Sequence, residues 1–437
     1  MTETTIAVWV WLPGASAPVQ AAMLDPGRQT WEYVPTYFGE AAIVPDPVVL
    51  PITGRTGARS AISLARFGGL PGVVRDAMPS GYGADRLDAQ AGRKLTELEL
   101  LHFGAPDSVG AIEATSDIER KLAWKPHGLE QLKDALRGLD ESEPSSRAIR
   151  RLNEDGSTSA GGERPKITIQ HEGKLWLAKM RDRGDVPFLP AKEFVTMRLA
   201  QTCGITVPRT ELITVGSHQV FLIERFDRAG DPERPTRRFF ASAHTVLGLG
   251  ADSVRGDPAR SYLVFADRMR RWCTTGADAH VQELWRRMAF NGLVGNTDDH
   301  ARNHGMLHGD DGWGLAPAFD VTPAQRVPAE FVSLAMATGA DGSCRADETR
   351  LLEACGHFRV DPEWGARWLL AASETVARGW RPCMRDSGVP DAEIDRVAPA
   401  FALATSLAEA PDRIQAALER VQAQGRRRVR SGRARMR

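Results

Sequence analysis

The sequence predicts an α+β protein in which strand-rich parts are followed by an α-rich remainder. Three observations carry that expectation. Segments rich in Val, Trp, Tyr and Thr open the chain. Residues 166–224 read strand, strand, helix, strand, strand. The long stretches after Arg228 place apolar residues at helical spacing.

At 437 residues the chain exceeds a single comfortable core, so two or three domains or lobes are expected. Residues 7–12 and 30–37 read as strands of a small β or α+β module, with Gly and Pro between them. Residues 67–83, FGGLPGVVRDAMPSGYG, read as loop with a short helix, and residues 95–101 as helix. Leu129, Leu132 and Leu136 mark a helix that ends before the polar break DESEPSS at 140–146. From Lys166, ITI, a turn at His171-Glu172-Gly173 and LWLAKM form a hairpin. Residues 191–203 are predicted helical, and 210–215 and 219–224 are predicted strands. Beyond Arg228, residues 261–273, 281–293, 363–378 and 391–424 are predicted helices.

Composition narrows the class. Hydrophobic residues make up 42% and charged residues 26%, values of an ordinary globular chain rather than a disordered or fibrous one. The 56 basic and 56 acidic side chains cancel, so no overall field marks a nucleic-acid or membrane binder. The last twelve residues nevertheless hold seven arginines and no acid, a basic tail expected to be flexible, where any polyanion contact would begin. Five scattered cysteines fit reduced thiols in a cytoplasm and offer no zinc pattern. The apolar start lacks a preceding Lys or Arg, carries Glu3 and is closed by Pro13, unlike a signal peptide. No apolar run is long enough to span a bilayer.

The densest polar cluster, NTDDHARN at 296–303, follows a helix whose Trp285, Met288, Ala289 and Leu293 face inward. Phosphoryl transfer needs a carboxylate that orients the attacking hydroxyl and a nearby amide oxygen for magnesium, and protein kinases set these five residues apart. Asp298 and Asn303 have that spacing. A hairpin from residues 305–307 and 313–315 would lead to Asp320, a second carboxylate placed for metal. Helix capping is the competing reading of an isolated NTDD. Lys179 ends an apolar strand as a phosphate-binding lysine does, although an edge lysine facing solvent reads the same way. STSAGGERPK, residues 157–166, is a glycine-rich loop that could approach phosphates, or a linker; it is no Walker A motif. ERFDR, residues 224–228, joins the strand and helical parts as a kinase hinge or a plain linker would.

Taken in order, SxGGxRPK at 159–166, LWLAK ending at Lys179, ERFDR, NTDDHARNH at 296–304 and LAPAFDVTP at 315–323 resemble the HipA family of toxin kinases from type II toxin-antitoxin systems. The resemblance covers nearly the whole chain and includes the VWVWL opening. It implies a two-lobed, protein-kinase-like fold with an added N-terminal β-containing subdomain (1–120), a kinase-like N-lobe (121–228), an α-helical C-lobe (229–425) and the tail (426–437). It implies ATP and Mg2+ as cofactors, with Asp298 catalytic and Asn303 and Asp320 binding metal. By the same resemblance Lys179 contacts phosphate, Glu224 and Phe226 meet adenine through the hinge, and Gly161, Gly162 and Lys166 line the phosphate loop. His300 and Phe319 lie close by, and Ser159 is the autophosphorylated serine that switches the kinase off. Implied partners are a HipB-like helix-turn-helix antitoxin, operator DNA through the antitoxin complex, and a protein substrate such as an aminoacyl-tRNA synthetase whose phosphorylation inhibits translation. A scaffold acting mainly as a DNA-bound co-repressor is the alternative. The segment between Lys166 and Lys179 is short for the family, and the second metal motif reads FDV where ordinary kinases have DFG.

Overall fold

The computed structural model describes residues 5–39, 42–52, 61–152, 161–250, 253–273, 275–324 and 331–435, with side chains described as far as Gln424. The chain forms two compact units that interleave along it. The first comprises Met1–Val186, Pro208–Gly250 and Gly305–Ala316; the second comprises Pro187–Val207, Ala251–His304 and Pro317–Arg437.

The first unit contains the strands expected at the start. Ile6–Val10 lies in a five-stranded antiparallel sheet between Val19–Asp25, the central strand, and the edge strand Ile112–Ala114, with Thr30–Tyr33 and Ile62–Ser63 on the far side of Val19–Asp25. The second of these predicted strands stops at Tyr33 instead of residue 37. Pro35 lacks an N–H for the ladder and opens the 3-10 turn Pro35–Tyr37.

A second five-stranded sheet runs in the order His127–Gly128, Lys166–His171, Lys174–Met180, His218–Glu224, Thr210–Val215. The turn between the second and third of these strands has Glu172 at φ 48° and Gly173 at φ 70°. Two consecutive residues of positive φ suit a tight hairpin whose twist matches its strands. The helix Leu129–Arg137 packs its buried Leu129, Leu132 and Leu136 against Ile167, Ile169, Trp176 and Ala178 of this sheet. The predicted hairpin before Asp320 is present as Gly305–Gly309 and Gly312–Leu315, paired on one side with Phe240–Ser242.

The second unit is mainly helical, with one short two-stranded sheet of Val332–Ser333 and Arg345–Ala346. Leu189–Thr202, Tyr262–Trp272, Ala277–Leu293 and Pro362–Asp386 correspond to predicted helices. Trp285, Met288, Ala289 and Leu293 are fully buried as expected, and Trp285 Nε1 donates to Leu351 O at 2.9 Å. The single helix expected over 391–424 is instead divided into Asp391–Val397, Ala402–Glu409 and Asp412–Arg435. Pro399 and Pro411 stand at the breaks, where a missing N–H and a ring clash interrupt the helical ladder. The last helix also continues through the arginine-rich segment, consistent with the good helix propensity of arginine. Among the described residues no helix is long and apolar enough to cross a membrane.

Candidate active site

The loop carrying Asp298 begins where Ala277–Leu293 ends. Gly295 turns the chain there at φ 59°, and a Cβ on it would lie 2.5 Å from Ala400 O, so only glycine suits both the angle and the contact. Beyond it, Asn296 Nδ2 donates to Asn291 Oδ1 at 3.1 Å, and Asn291 Nδ2 donates to the Tyr262 hydroxyl at 3.0 Å. That hydroxyl lies 2.5 Å from Asp299 Oδ2 and 3.1 Å from His304 Nε2, and Ala335 N donates to Asp299 Oδ1 at 2.5 Å. All five of these side chains are buried, and together they hold the loop from beneath.

The neighbouring Asp298 faces the other way, with its side chain 80% exposed. Asn303 Nδ2 donates to Asp298 O at 2.8 Å, and Asn303 N donates to His300 O at 2.8 Å. The structure therefore joins Asp298 and Asn303 directly, while His300 Nε2 stands 4.0 Å from Asp298 Oδ1. With its nitrogen engaged, the Asn303 amide has its oxygen to offer a hard cation. His300 Nδ1 is buried without a hydrogen-bond partner among the described residues.

Asp320 has φ 59°, a left-handed conformation that costs a non-glycine residue strain and that concentrates at functional sites. Its segment is anchored on both sides: Ala318 N donates to Thr206 O at 2.8 Å, and Thr196 Oγ1 donates to Val321 O. Phe319 lines a small cavity together with Asn303, Asn296, Asp299 and His304. The second unit thus brings Phe319 and Asn303 to one cavity, bordered by the residues flanking Asp320.

Burial dominates the electrostatics beneath the loop. It raises the Asp299 carboxyl to about 7, against the lowering effect of the Ala335 and Tyr262 hydrogen bonds. Burial likewise pushes His304 down to about 3, helped by Arg287 and His300, so its imidazole is neutral. A carboxyl raised in the folded state binds its proton more tightly there than in the unfolded chain. Its contribution is complete below the unfolded value of about 3.9 and is lost as pH rises to about 7, up to about 4 kcal/mol. Asp299→Asn should remove that part of the slope. Because His304 works in the opposite direction, the observable is the difference in Tm between wild type and variant across pH 4 to 7. A constant difference would contradict the raised carboxyl.

In the first unit, Lys166 and Lys179 lie directly opposite on neighbouring strands. Directly paired residues share a face, and like charges so placed repel unless an anion lies between or near them. Lys166 Nζ donates to Gly161 O at 2.7 Å, and Lys179 Nζ lies 5.8 Å from the centre of the Phe221 ring. Gly161 and Gly162 therefore come together with Lys166. Ser159 lies outside the described residues.

The ERFDR segment holds more structure than the sequence reading gave it. The Glu224 carboxylate accepts from Lys174 Nζ at 2.6 Å, and the Phe226 ring packs 6.0 Å from Phe240. Between and after them, Arg225, Asp227 and Arg228 are buried. Arg225 donates to both oxygens of Asp227 at 2.8 Å, Arg228 to Asp227 Oδ2 at 2.5 Å, and Gly110 N to Asp227 Oδ2 at 2.7 Å. The same guanidiniums donate to the carbonyls of Asp107, Ser108 and Gly110. The hinge candidate is thereby tied to the segment leading into Ile112–Ala114.

Sequence reasoning picked out the clusters that contain Asn296, Asp299, His304, Arg225 and Asp227 but gave these residues no role, and it passed over Tyr262 and Asn291. The lone Asn291 inside the apolar run MAFNGL was the one available signal for the buried network.

A mixed sheet with paired lysines in one unit, and in the other an exposed aspartate tied to an asparagine five residues on, fit a protein-kinase-like fold. The HipA-like C-terminal domain matches residues 158–380, just over half of the sequence, and the protein belongs to the HipA family. The serine/threonine-protein kinase toxin HipA of Shewanella oneidensis is 26% identical over 202 residues, 41% of this chain and 46% of that protein. A putative kinase of Haemophilus influenzae is 25% identical over 166 residues, 35% of this chain and 46% of the relative. The chain thus spans a little under half the length of these curated relatives. A chain from the Shewanella oneidensis MR-1 complex of HipA, HipB and operator DNA shares the fold with a TM-score of 0.65 at 17% identity, covering 95% of this chain and 99% of that one.

Proposed function

We propose that this protein is an ATP- and magnesium-dependent serine/threonine protein kinase acting as the toxin of a HipA/HipB-like pair. The observation that carries the reading is the exposed Asp298 on a loop held from below by buried hydrogen bonds, with Asn303 bonded to its carbonyl. Such a carboxylate can accept the proton of a substrate hydroxyl while the loop keeps its position. The Asn303 amide oxygen and the Asp320 carboxylate have the oxygen chemistry that magnesium prefers, and the metal would neutralise charge on the phosphates. Lys166 and Lys179 would offset the negative charge of the nucleotide, with Gly161 and Gly162 shaping the loop beside them. Adenine recognition at Glu224 and Phe226 would use backbone groups, since the Glu224 carboxylate is paired with Lys174.

Autophosphorylation at Ser159 would place a negative charge in the phosphate loop and repel ATP. A HipB-like antitoxin and its operator DNA are the partners we propose, supported by likeness to the Shewanella complex. An aminoacyl-tRNA synthetase is the proposed substrate, by which translation would be inhibited. The test is intact-protein mass after incubation with ATP and magnesium, alone and with candidate synthetases. Phosphate on the protein or on a synthetase is expected, and its absence from both, with ATP bound, would overturn the kinase reading.

A further inference from the structure

The PSGYG turn at residues 79–83 has no role in the proposed chemistry, yet it closes on the glycine-rich loop. Tyr82 N donates to Gly162 O at 3.1 Å, and Gly162 N donates to Ser80 Oγ at 3.3 Å. Both polar groups of the Gly162 residue are thus held by a turn some eighty residues earlier in the chain. The approach is close enough to demand glycine. Gly81 has φ 54°, and a Cβ on it would lie 2.6 Å from Gly162 O and 2.9 Å from Glu163 Cα. On the loop side, Gly162 has φ 113°, and a Cβ there would meet Lys166 Nζ at 2.6 Å. Lys166 Nζ is bonded to Gly161 O at 2.7 Å, so the lysine and the loop are joined.

The turn itself has a firm base. The helix Gly72–Asp76 precedes it, and Asp76 accepts from Ser242 N and Ser242 Oγ, both at 2.7 Å, and from Thr245 Oγ1 at 2.8 Å. A Cβ on Gly72 would lie 2.6 Å from the Thr245 side chain, so this helix also seats closely. Tyr82 then begins the helix Tyr82–Ala91. A glycine-rich loop left to itself would sample many conformations, and ordering it would weaken ligand binding.

We propose that the turn at residues 80–82 is a positioning element for phosphate binding. It holds Gly161 and Gly162 in the conformation in which Lys166 and the loop peptides meet the phosphates of a nucleoside triphosphate. This rests on the kinase reading for its ligand, but the restraint on the loop does not.

Two readouts separate the two. Amide hydrogen exchange of peptides spanning residues 161–166, measured without nucleotide, should be about tenfold faster in Ser80→Ala and in Gly81→Ala, and Ser80→Thr should restore protection. Titration should show ATP binding weakened about tenfold in the same two variants, with adenosine affinity unchanged. Unchanged exchange in Gly81→Ala would overturn the restraint. Equal loss of ATP and adenosine would indicate general damage and overturn the positioning role. Wild-type protein that binds no ATP would sink the kinase reading, while the exchange rates would still decide the restraint.

Discussion

Asp298→Asn should fold and bind ATP as the wild type does, yet transfer phosphate roughly 10²–10⁴-fold more slowly. The substitution keeps the shape of the side chain and removes its capacity to take a proton. Three features confine the effect to chemistry. The side chain is 80% exposed, so no buried partner is lost and stability should change by less than about 0.5 kcal/mol. The bond from Asn303 goes to the backbone carbonyl, which the variant retains. The buried contacts that hold the loop belong to Asp299 and its neighbours. Single-turnover transfer from labelled ATP and urea unfolding measure the two halves of this expectation. An undiminished rate would remove Asp298 as the proton acceptor; a large fall in stability would move it into the framework.

The second large effect is on the fold. Asp227→Asn should destabilise the protein by about 3–5 kcal/mol, because it leaves the buried guanidiniums of Arg225 and Arg228 without their shared counter-charge. Burial by itself would raise the Asp227 carboxyl. The charges of Arg225 and Arg228, with hydrogen bonds from Arg225 and Gly110, outweigh it and hold the group well below the usual carboxylate range. A depressed carboxyl contributes stability that is complete above the unfolded value of about 3.9 and is lost as pH falls through the folded one. The gap between wild type and variant in urea unfolding should therefore be full at neutral pH and narrow in strong acid. A neutral-pH gap under about 1 kcal/mol would mean that the two arginines have other compensation.

Local order was largely legible in the sequence. Leu129, Leu132 and Leu136 announced a helix because three- and four-residue spacing puts them on one face, and their burial against Ile167 and Trp176 follows. The turn at Glu172 and Gly173 was readable from glycine between two β-rich runs. Asp298 and Asn303 could be paired by spacing because a single short loop carries both. Where the sequence reading misjudged extent, a local cause acted: Pro35 shortened a strand, and Pro399 and Pro411 divided a long helix.

What the sequence by itself determined was the identity of the chemical groups and the family, through motifs whose residues lie within a few positions of one another. What only the tertiary structure decided was which polar groups support them. Tyr262 meets Asp299 and His304 from 37 and 42 residues away, and Gly110 reaches Asp227 across 117. Ser80 reaches Gly162 across 82. No spacing rule predicts such pairs, because each is selected when folding removes both partners from water and leaves every buried donor and acceptor in need of whichever group the packing brings within reach.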